Sequence, residues 1–227
     1  MKKIIFGLIA VGLVAATQAL ATSVTVRGNL GYAYGDGGEF NISPVFSGAN
    51  YASDCIVNGG FETFCVQTSV PIVVPGTYNA SLSSFDSQGK ALTVGVAWLY
   101  TLFAANGNLI GYDYNPGPPQ AGTRALSANK LQQAIWILQG QTGGDITQTA
   151  ATSFYVQQAV THFGSLAGAE AANNGQFQVQ IVNLFAVTGA PVQNMLALVP
   201  DGGSTVMFLG MALSCLALVS RKMRVRA

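Results

Sequence analysis

The chain has little charge, little histidine and little cysteine for its 227 residues. Charged residues make up 8% of it, and it contains one histidine, His162, and three cysteines, at positions 55, 65 and 215. These four residues do not have the spacing of zinc ligands, so the sequence predicts no metal site and no cofactor. It also lacks a nucleophile elbow and a phosphate-binding glycine loop, and we therefore expect the protein not to be an enzyme.

Basic residues are scarce in the central part of the chain, from Thr22 to Pro200. This part holds four basic residues against eight acidic ones, a net charge of −4, although the whole chain has a net charge of +1. Such a region offers no positive surface for nucleic acid, which we exclude as a partner. Its roughly 180 residues, rich in Val, Ile, Leu and Phe, are enough for one domain with its own core.

The amino-terminal end has the three parts of a secretory signal. Lys2 and Lys3 precede an apolar run from Ile4 to Ala16, and Ala19-Leu20-Ala21 provides small residues for cleavage. The sequence therefore predicts a cleavable signal peptide over residues 1–21, and an exported mature protein. Its apolar run is too short for a membrane-spanning helix.

The carboxyl-terminal end, residues 199–227, also has three parts. It begins with the sequence VPDGGST, continues as an apolar run from Val206 to Val219, and ends in a basic tail. The first five motif residues are Val199, Pro200, Asp201, Gly202 and Gly203. The basic residues of the tail are Arg221, Lys222, Arg224 and Arg226. Proline and glycine break regular structure, so the motif is expected to be an exposed processing site.

The apolar run is short for a membrane span. About fifteen helical residues reach little more than 20 Å, whereas the hydrocarbon core is about 30 Å thick. We expect this helix to anchor the chain transiently in the inner membrane. The basic tail would stay in the cytoplasm by the positive-inside rule, which leaves the bulk of the chain outside.

This order of motif, apolar helix and basic tail resembles the PEP-CTERM class of sorting signals, most closely its VPDSG variety. The chain departs from that variety at Gly202, where serine is usual. The resemblance implies recognition by an exosortase-like membrane enzyme, removal or exchange of the tail, and a location in the cell envelope, at the surface or outside the cell. A plain carboxyl-terminal membrane anchor is the alternative interpretation.

For residues 22–198 the order of elements predicts a single α+β domain, with a β-rich body from both ends of the mature chain and a central helical insert. The insert is expected over residues 92–172, and we expect the first and last strands to pair. The predicted strands are 23–27, 61–66, 71–74, 177–181 and 192–198. The predicted helices are 92–105, 128–139 with Ser127 as its N-cap, and 154–172.

Two short segments differ from ordinary core sequence: FETFCVQ at residues 61–67 and LQQAIWILQ at residues 131–139. Together they resemble the paired signatures of the thioester domains of bacterial surface adhesins. The resemblance places the cysteine at Cys65 and the glutamine at Gln132. It implies an internal thioester between their side chains, which would acylate an amine of a partner in a single turnover.

Each segment also has a simpler interpretation. In an oxidising compartment, Cys55 and Cys65 are ten residues apart and can form a disulfide, which excludes a thioester at Cys65. Leu131, Ile135 and Leu138 can form the core stripe of an amphipathic helix. Two hypotheses follow: a surface or extracellular-matrix protein that acts by non-covalent structural or adhesive contacts with a matrix or surface polymer, or a covalent adhesin that uses Cys65 and Gln132.

Overall fold

A computed structural model describes residues 22–27, 32–34, 37–117, 122–143 and 145–200. The predicted signal peptide, the apolar run after the VPDGGST motif and the basic tail therefore lie outside the described residues. Among the residues described, no helix combines the length and the apolar character that crossing a bilayer requires.

Nine β-strands are found in the described part of the chain, and all their pairings are antiparallel. They are β1 (Thr22–Arg27), β2 (Ala33–Tyr34), β3 (Gly37–Gly38), β4 (Phe40–Ser43), β5 (Ile56–Val57), β6 (Gly60–Thr63), β7 (Gly76–Ser83), β8 (Val179–Phe185) and β9 (Met195–Leu198). Strands β2 and β3 form a separate hairpin, and the other seven form one sheet in the order β5-β6-β4-β1-β7-β8-β9.

The seven-stranded sheet curls until its two edge regions meet. The chain that follows β6 pairs with β9 through an isolated bridge between Cys65 and Met195. The N–H of Val66 donates to the carbonyl of Asn194 at 2.8 Å, and the N–H of Leu196 donates to the carbonyl of Phe64 at 3.2 Å. The sheet thus encloses an interior, and Cys65 lies at the point of closure.

Alternating side chains divide the core into two layers. On β9, Met195 and Ala197 face the interior of the curled sheet, whereas Leu196 and Leu198 face the helices. This alternation is the ordinary geometry of a strand covered on both faces. Cys65 and Trp136 belong to the interior cluster. We call this cluster the barrel core, and the cluster beneath the helices the helical core.

Four helices lie between β7 and β8 in the described part of the chain. They are α1 (Val94–Ala104), α2 (Thr123–Leu138), α3 (Phe154–Phe163) and α4 (Leu166–Ala169). Eight of the eleven residues of α1 are buried, as its almost entirely apolar sequence requires. The strands and the central helical insert make an α+β arrangement, as predicted. The first and last strands lie in one sheet but do not pair with each other, so that detail of the prediction was wrong.

Helix α2 begins five residues earlier than predicted, at Thr123. Ser127 is not its N-cap, because its hydroxyl donates to the carbonyl of Thr123, one turn back, at 2.9 Å. A serine inside a helix makes this bond in place of a cap. The position before the helix is Gly122, whose φ of 93° is accessible to glycine.

Two other boundaries also differ from the prediction. No strand forms at 71–74, where Pro71 and Pro75 lack the N–H that a strand donates, and β7 begins only at Gly76. The long helix predicted from residue 154 ends at Phe163 because Gly164 adopts a left-handed φ of 78°. A separate short helix, α4, follows it.

Candidate functional site

The two described cysteines lie in different layers of the molecule. Cys55 is in the helical core, where its thiol donates to the carbonyl of Phe103 at 3.3 Å. Cys65 is in the barrel core. Both thiols are free and buried, so the structure does not bring together the pair predicted as an alternative disulfide. The sheet itself separates them.

Cys65 and Gln132 are brought together by two hydrogen bonds. The N–H of Cys65 donates to Oε1 of Gln132 at 2.9 Å, and Nε2 of Gln132 donates to the carbonyl of Cys65 at 2.7 Å. The carboxamide of Gln132 therefore pairs with the Cys65 backbone as a neighbouring strand would. Both donors and both acceptors are buried and satisfied.

Helix α2 and the β2–β3 hairpin position the Gln132 side chain. On α2, Gln132 and Trp136 are one turn apart and share a face, and Trp136 packs in the same core cluster as Cys65. Gly37 of β3 also lies against Gln132, and an added Cβ there would come within 2.9 Å of Cγ of Gln132. A glycine at this position leaves the space that Gln132 needs.

Burial controls the acidity of the Cys65 thiol. Removal from water disfavours the thiolate and raises the pKa of Cys65 to about 12, although contact with the Gln193 side chain works in the opposite direction. At neutral pH the side chain is therefore a thiol. It is shielded from solvent, with only 4% of the Cys65 residue surface exposed.

Two further glutamines, Gln133 of α2 and Gln139 at its C-cap, bind neighbouring backbone in the same way. Gln139 accepts from the N–H of Thr93 at 3.2 Å and donates to the carbonyl of Ala91 at 2.8 Å. Gln133 accepts from the N–H of Thr147 at 2.8 Å and donates to the carbonyl of Asp145. Sequence reasoning missed both, because a buried glutamine has no local signal that separates it from an exposed one.

A second buried polar cluster lies at the start of α2. The guanidinium of Arg124 donates from Nε and from its terminal nitrogen to the two carboxylate oxygens of Glu39, at 3.0 and 3.1 Å. Tyr112 donates to the same carboxylate. Arg124 also lies 4.3 Å from the ring centre of Tyr32. These contacts fasten the chain on both sides of the β2–β3 hairpin to α2.

Glu62, three residues before Cys65, borders this cluster. Burial raises the pKa of both Glu39 and Glu62, and for Glu62 it reaches about 9 because the neighbouring Glu39 carboxylate also disfavours a second charge. Glu62 is therefore protonated at neutral pH. Asn41 donates to one of its oxygens at 3.3 Å. Among the residues described, no three His, Cys, Asp or Glu side chains are grouped as metal ligands.

Strand β9 leads directly into the VPDGGST motif. The strand ends at Leu198, and the N–H of the first motif residue, Val199, donates to the carbonyl of Gln178 at 3.0 Å. Pro200 lies against Gly48, where an added Cβ would come within 3.1 Å of the proline ring. The motif therefore starts on the surface of the folded domain, while Asp201, Gly202 and Gly203 lie outside the described residues.

Comparison with known proteins identifies this end of the chain. A family model described as the VPDSG-CTERM motif matches residues 199–223. The chain carries a PEP-CTERM-type sorting signal. The signal supports recognition by an exosortase-like enzyme, export and association with the cell envelope. The match does not reach residues 61–141, so the resemblance to thioester domains stays a prediction.

Comparison with curated proteins and with solved structures finds no match.

Proposed function

We propose that this exported, exosortase-sorted protein is a covalent surface adhesin in which Cys65 and Gln132 form an internal thioester. One observation carries the proposal: the carboxamide of Gln132 is held against Cys65 by two hydrogen bonds, of 2.9 and 2.7 Å. Within the described residues, neither Cys55 nor Cys65 is in a disulfide, so the Cys65 thiol is available for this chemistry.

Thioester formation joins Sγ of Cys65 to Cδ of Gln132 and breaks the bond from Cδ to Nε2. The thiol proton leaves with the nitrogen as ammonia, so the step needs no external reagent. The N–H of Cys65, 2.9 Å from Oε1, lies within the range in which a donor stabilises the oxyanion of the tetrahedral intermediate. Burial then limits attack by water on the finished thioester.

An amine of a partner would reopen the bond. Its nitrogen attacks Cδ of Gln132, the bond from Cδ to Sγ breaks, and the sulfur takes up the proton that the amine loses. The product is an amide crosslink and a free Cys65 thiol. The protein is consumed once, which differs from enzymatic turnover.

The second candidate is a surface or extracellular-matrix protein that acts only by non-covalent structural or adhesive contacts. The paired hydrogen bonds of Gln133 and Gln139 favour it, because α2 and its C-cap have the same arrangement where no cysteine is present. In this candidate, Gln132 only fastens the helix to the sheet.

Intact mass of the denatured protein, purified without amines in the buffer, separates the two. A thioester lowers the mass of the protein by the mass of one ammonia. Methylamine then adds to the acyl group of Gln132 and raises the mass by that of one methylamine. We expect the deficit to disappear in Cys65→Ala and in Gln132→Ala. The matched controls, Gln139→Ala and Cys55→Ala, should retain it. An unmodified mass in the wild-type protein, or a deficit that persists in Gln132→Ala, would contradict the proposal.

A further inference from the structure

The first residues of the sorting motif are bonded to the folded domain. The N–H of Leu198 donates to the hydroxyl oxygen of Tyr51 at 2.8 Å, and the N–H of Val199 donates to the carbonyl of Gln178 at 3.0 Å. The Tyr51 ring stacks on Phe61 of the barrel core, with 4.8 Å between the ring centres. Strand β9 therefore passes into the motif without a linker, and Val199 has a fixed place on the domain surface.

A surface cleft of about 450 Å³ opens beside Val199. Three segments that are distant in sequence form its walls together with the end of β9: the chain after β4, the helix α1 and the chain before β8. They contribute, in turn, Gly48 and Asn50, Thr101 and Ala105, and Gln176, Phe177 and Gln178. The first residue of the motif is thus a wall of the cleft, so the cleft adjoins the surface that the sorting enzyme recognises.

The walls of the cleft are polar but uncharged. None of its lining residues in the described part of the chain is acidic or basic, and the hydrogen-bonding side chains among them are amides and one hydroxyl. Amide groups both donate and accept, as the backbone of a polypeptide does. Asn50 and Gln176 are exposed to solvent, and the half-buried Phe177 adds an apolar contact. Such a surface fits an uncharged polypeptide segment and lacks the cationic groups that an acidic polymer would require.

The short length of the motif brings its enzyme against this cleft. An extended chain covers at most about 3.6 Å per residue, so Gly203, four residues beyond Val199, is at most about 14 Å from it. A specific protein–protein contact covers about 800 Å² on each partner, with roughly 20 to 30 residues a side. The five motif residues are too few for a contact of that size. An enzyme bound at the motif therefore also lies on the domain beside Val199.

We propose that this cleft is a second contact surface for the exosortase-like enzyme, and that it takes up an uncharged segment of that enzyme while the motif is recognised. The matched motif implies recognition within residues 199–223, and the cleft extends that contact onto the folded domain. Recognition then depends on the position of the motif relative to the domain as well as on the motif sequence. The inference holds with or without a thioester at Cys65.

The first test places a charge in the cleft. Asn50→Lys and Gln176→Lys change exposed side chains, so both variants should fold, and the bound segment would have to bury an unpaired ammonium group. The full chain is produced in cells together with an exosortase-like enzyme, and intact mass over time gives the rate at which the tail is removed or exchanged. We expect this rate to fall about tenfold in both variants. The control Thr188→Lys, at an exposed site ten residues from Gln178 and beyond the other end of β8, should keep the wild-type rate.

The second test moves the motif away from the cleft. Ten glycine and serine residues inserted between Leu198 and Val199 leave the motif sequence intact and add about 17 Å of flexible chain. We expect the insertion to slow processing of the tail about tenfold as well. Thermal midpoints of all variants verify that the domain stays folded. An unchanged or faster rate in the insertion variant, or unchanged rates in both lysine variants, would overturn the proposal.

If the wild-type tail is not processed in those cells, or a variant does not fold, a photo-crosslinking residue at Gln176 decides the question. An adduct with the exosortase-like enzyme supports the contact. No adduct, or an adduct only with a polysaccharide or with a second copy of the chain, would overturn it. The mass deficit of a thioester is read from the same spectra, so failure of the thioester and failure of the cleft are distinguished.

Discussion

Gln132 of α2 and Gln139, the C-cap residue of the same helix, lie two turns apart, and both are fully buried. Each carboxamide pairs with a backbone N–H and a backbone carbonyl of a neighbouring segment, with similar distances. The two sites differ in the residue whose backbone is bound. Gln132 binds the backbone of Cys65, whereas Gln139 binds the backbone of Ala91 and Thr93. Geometry alone therefore does not distinguish a structural tether from a reactive pair, and the thiol is the feature that does.

The largest expected effect is a difference in stability between the two glutamine variants. Removing either carboxamide leaves two buried backbone groups unpaired, at about 1–3 kcal/mol each. A thioester at Gln132 would also close a loop from residue 65 to residue 132, and the chain-entropy model gives such a crosslink about 4 kcal/mol. We expect Gln132→Ala to lower the free energy of unfolding by about 4 kcal/mol more than Gln139→Ala, in urea denaturation under amine-free conditions. Equal losses would mean that the two tethers are equivalent.

The next effect concerns the ion pair between Arg124 and Glu39, which fastens the β2–β3 hairpin to α2 near Gln132. Arg124→Met removes the guanidinium that compensates the buried Glu39 carboxylate, and such a loss costs about 3–5 kcal/mol. Because this pair fastens the hairpin that packs on Gln132, the N–H of Cys65 should exchange its hydrogen faster in the variant. The N–H of Thr93, bonded to Gln139, should be less affected. Equal acceleration of both would indicate that the ion pair stabilises the two regions alike.

A glycine substitution tests the space around Gln132 alone. An alanine at Gly37 would press on Cγ of Gln132, and overpacking of this kind costs about 1–3 kcal/mol. We expect Gly37→Ala to lower the thermal midpoint and to slow the appearance of the mass deficit. Gly117→Ala is the control, because nothing lies within 4 Å of its added Cβ. Similar midpoints for the two variants would contradict the close contact.

The last comparison is a dependence of stability on pH, which is smallest when measured over a single pH unit and comes from Glu62, close to Cys65 in the chain. Glu62 keeps its proton in the folded protein up to about pH 9, whereas in the unfolded chain it ionises from its ordinary value of 4.5. Unfolding therefore releases a proton between these values, and the free energy of unfolding falls as the pH rises, by up to about 1.4 kcal/mol per pH unit.

Glu62→Gln cannot release that proton, so its unfolding free energy should depend less on pH. Urea denaturation of the wild type and the variant at several pH values between about 5 and 9 measures the two slopes. Identical slopes would show that Glu62 ionises normally in the folded protein.

The sequence predicted the elements that have strong periodicity and missed those that do not. Helix α1 and strand β1 carry clear apolar patterns, and the structure has both close to the predicted bounds. Strand β7 was missed because its sequence, GTYNASLS, is mostly polar and only Tyr78 and Ala80 are buried. β7 is a strand because its backbone is hydrogen-bonded to β1 on one edge and to β8 on the other, and not because of its local apolar pattern.

The same contrast holds for the candidate site. The proximity of Cys65 and Gln132 followed from a resemblance between short motifs, and the structure brings these two residues together. The hydrogen bond from the Gln193 side chain to the carbonyl of Gln67, across the closure of the sheet, could not be found in this way. These two residues are 126 residues apart and meet only because the sheet closes on itself, which no short motif encodes.

The continuity of β9 with the sorting motif fixes a distance. Val199 and Cys65 are connected through this single strand, since Met195 at its start is the partner of Cys65 and Leu198 at its end precedes the motif. Four residues at about 3.3 Å each place Val199 about 13 Å along the strand from Met195, the partner of Cys65. Val199, the first residue of the motif, is therefore held in place by the same strand that pairs with Cys65, and its direction from Cys65 is set by β9.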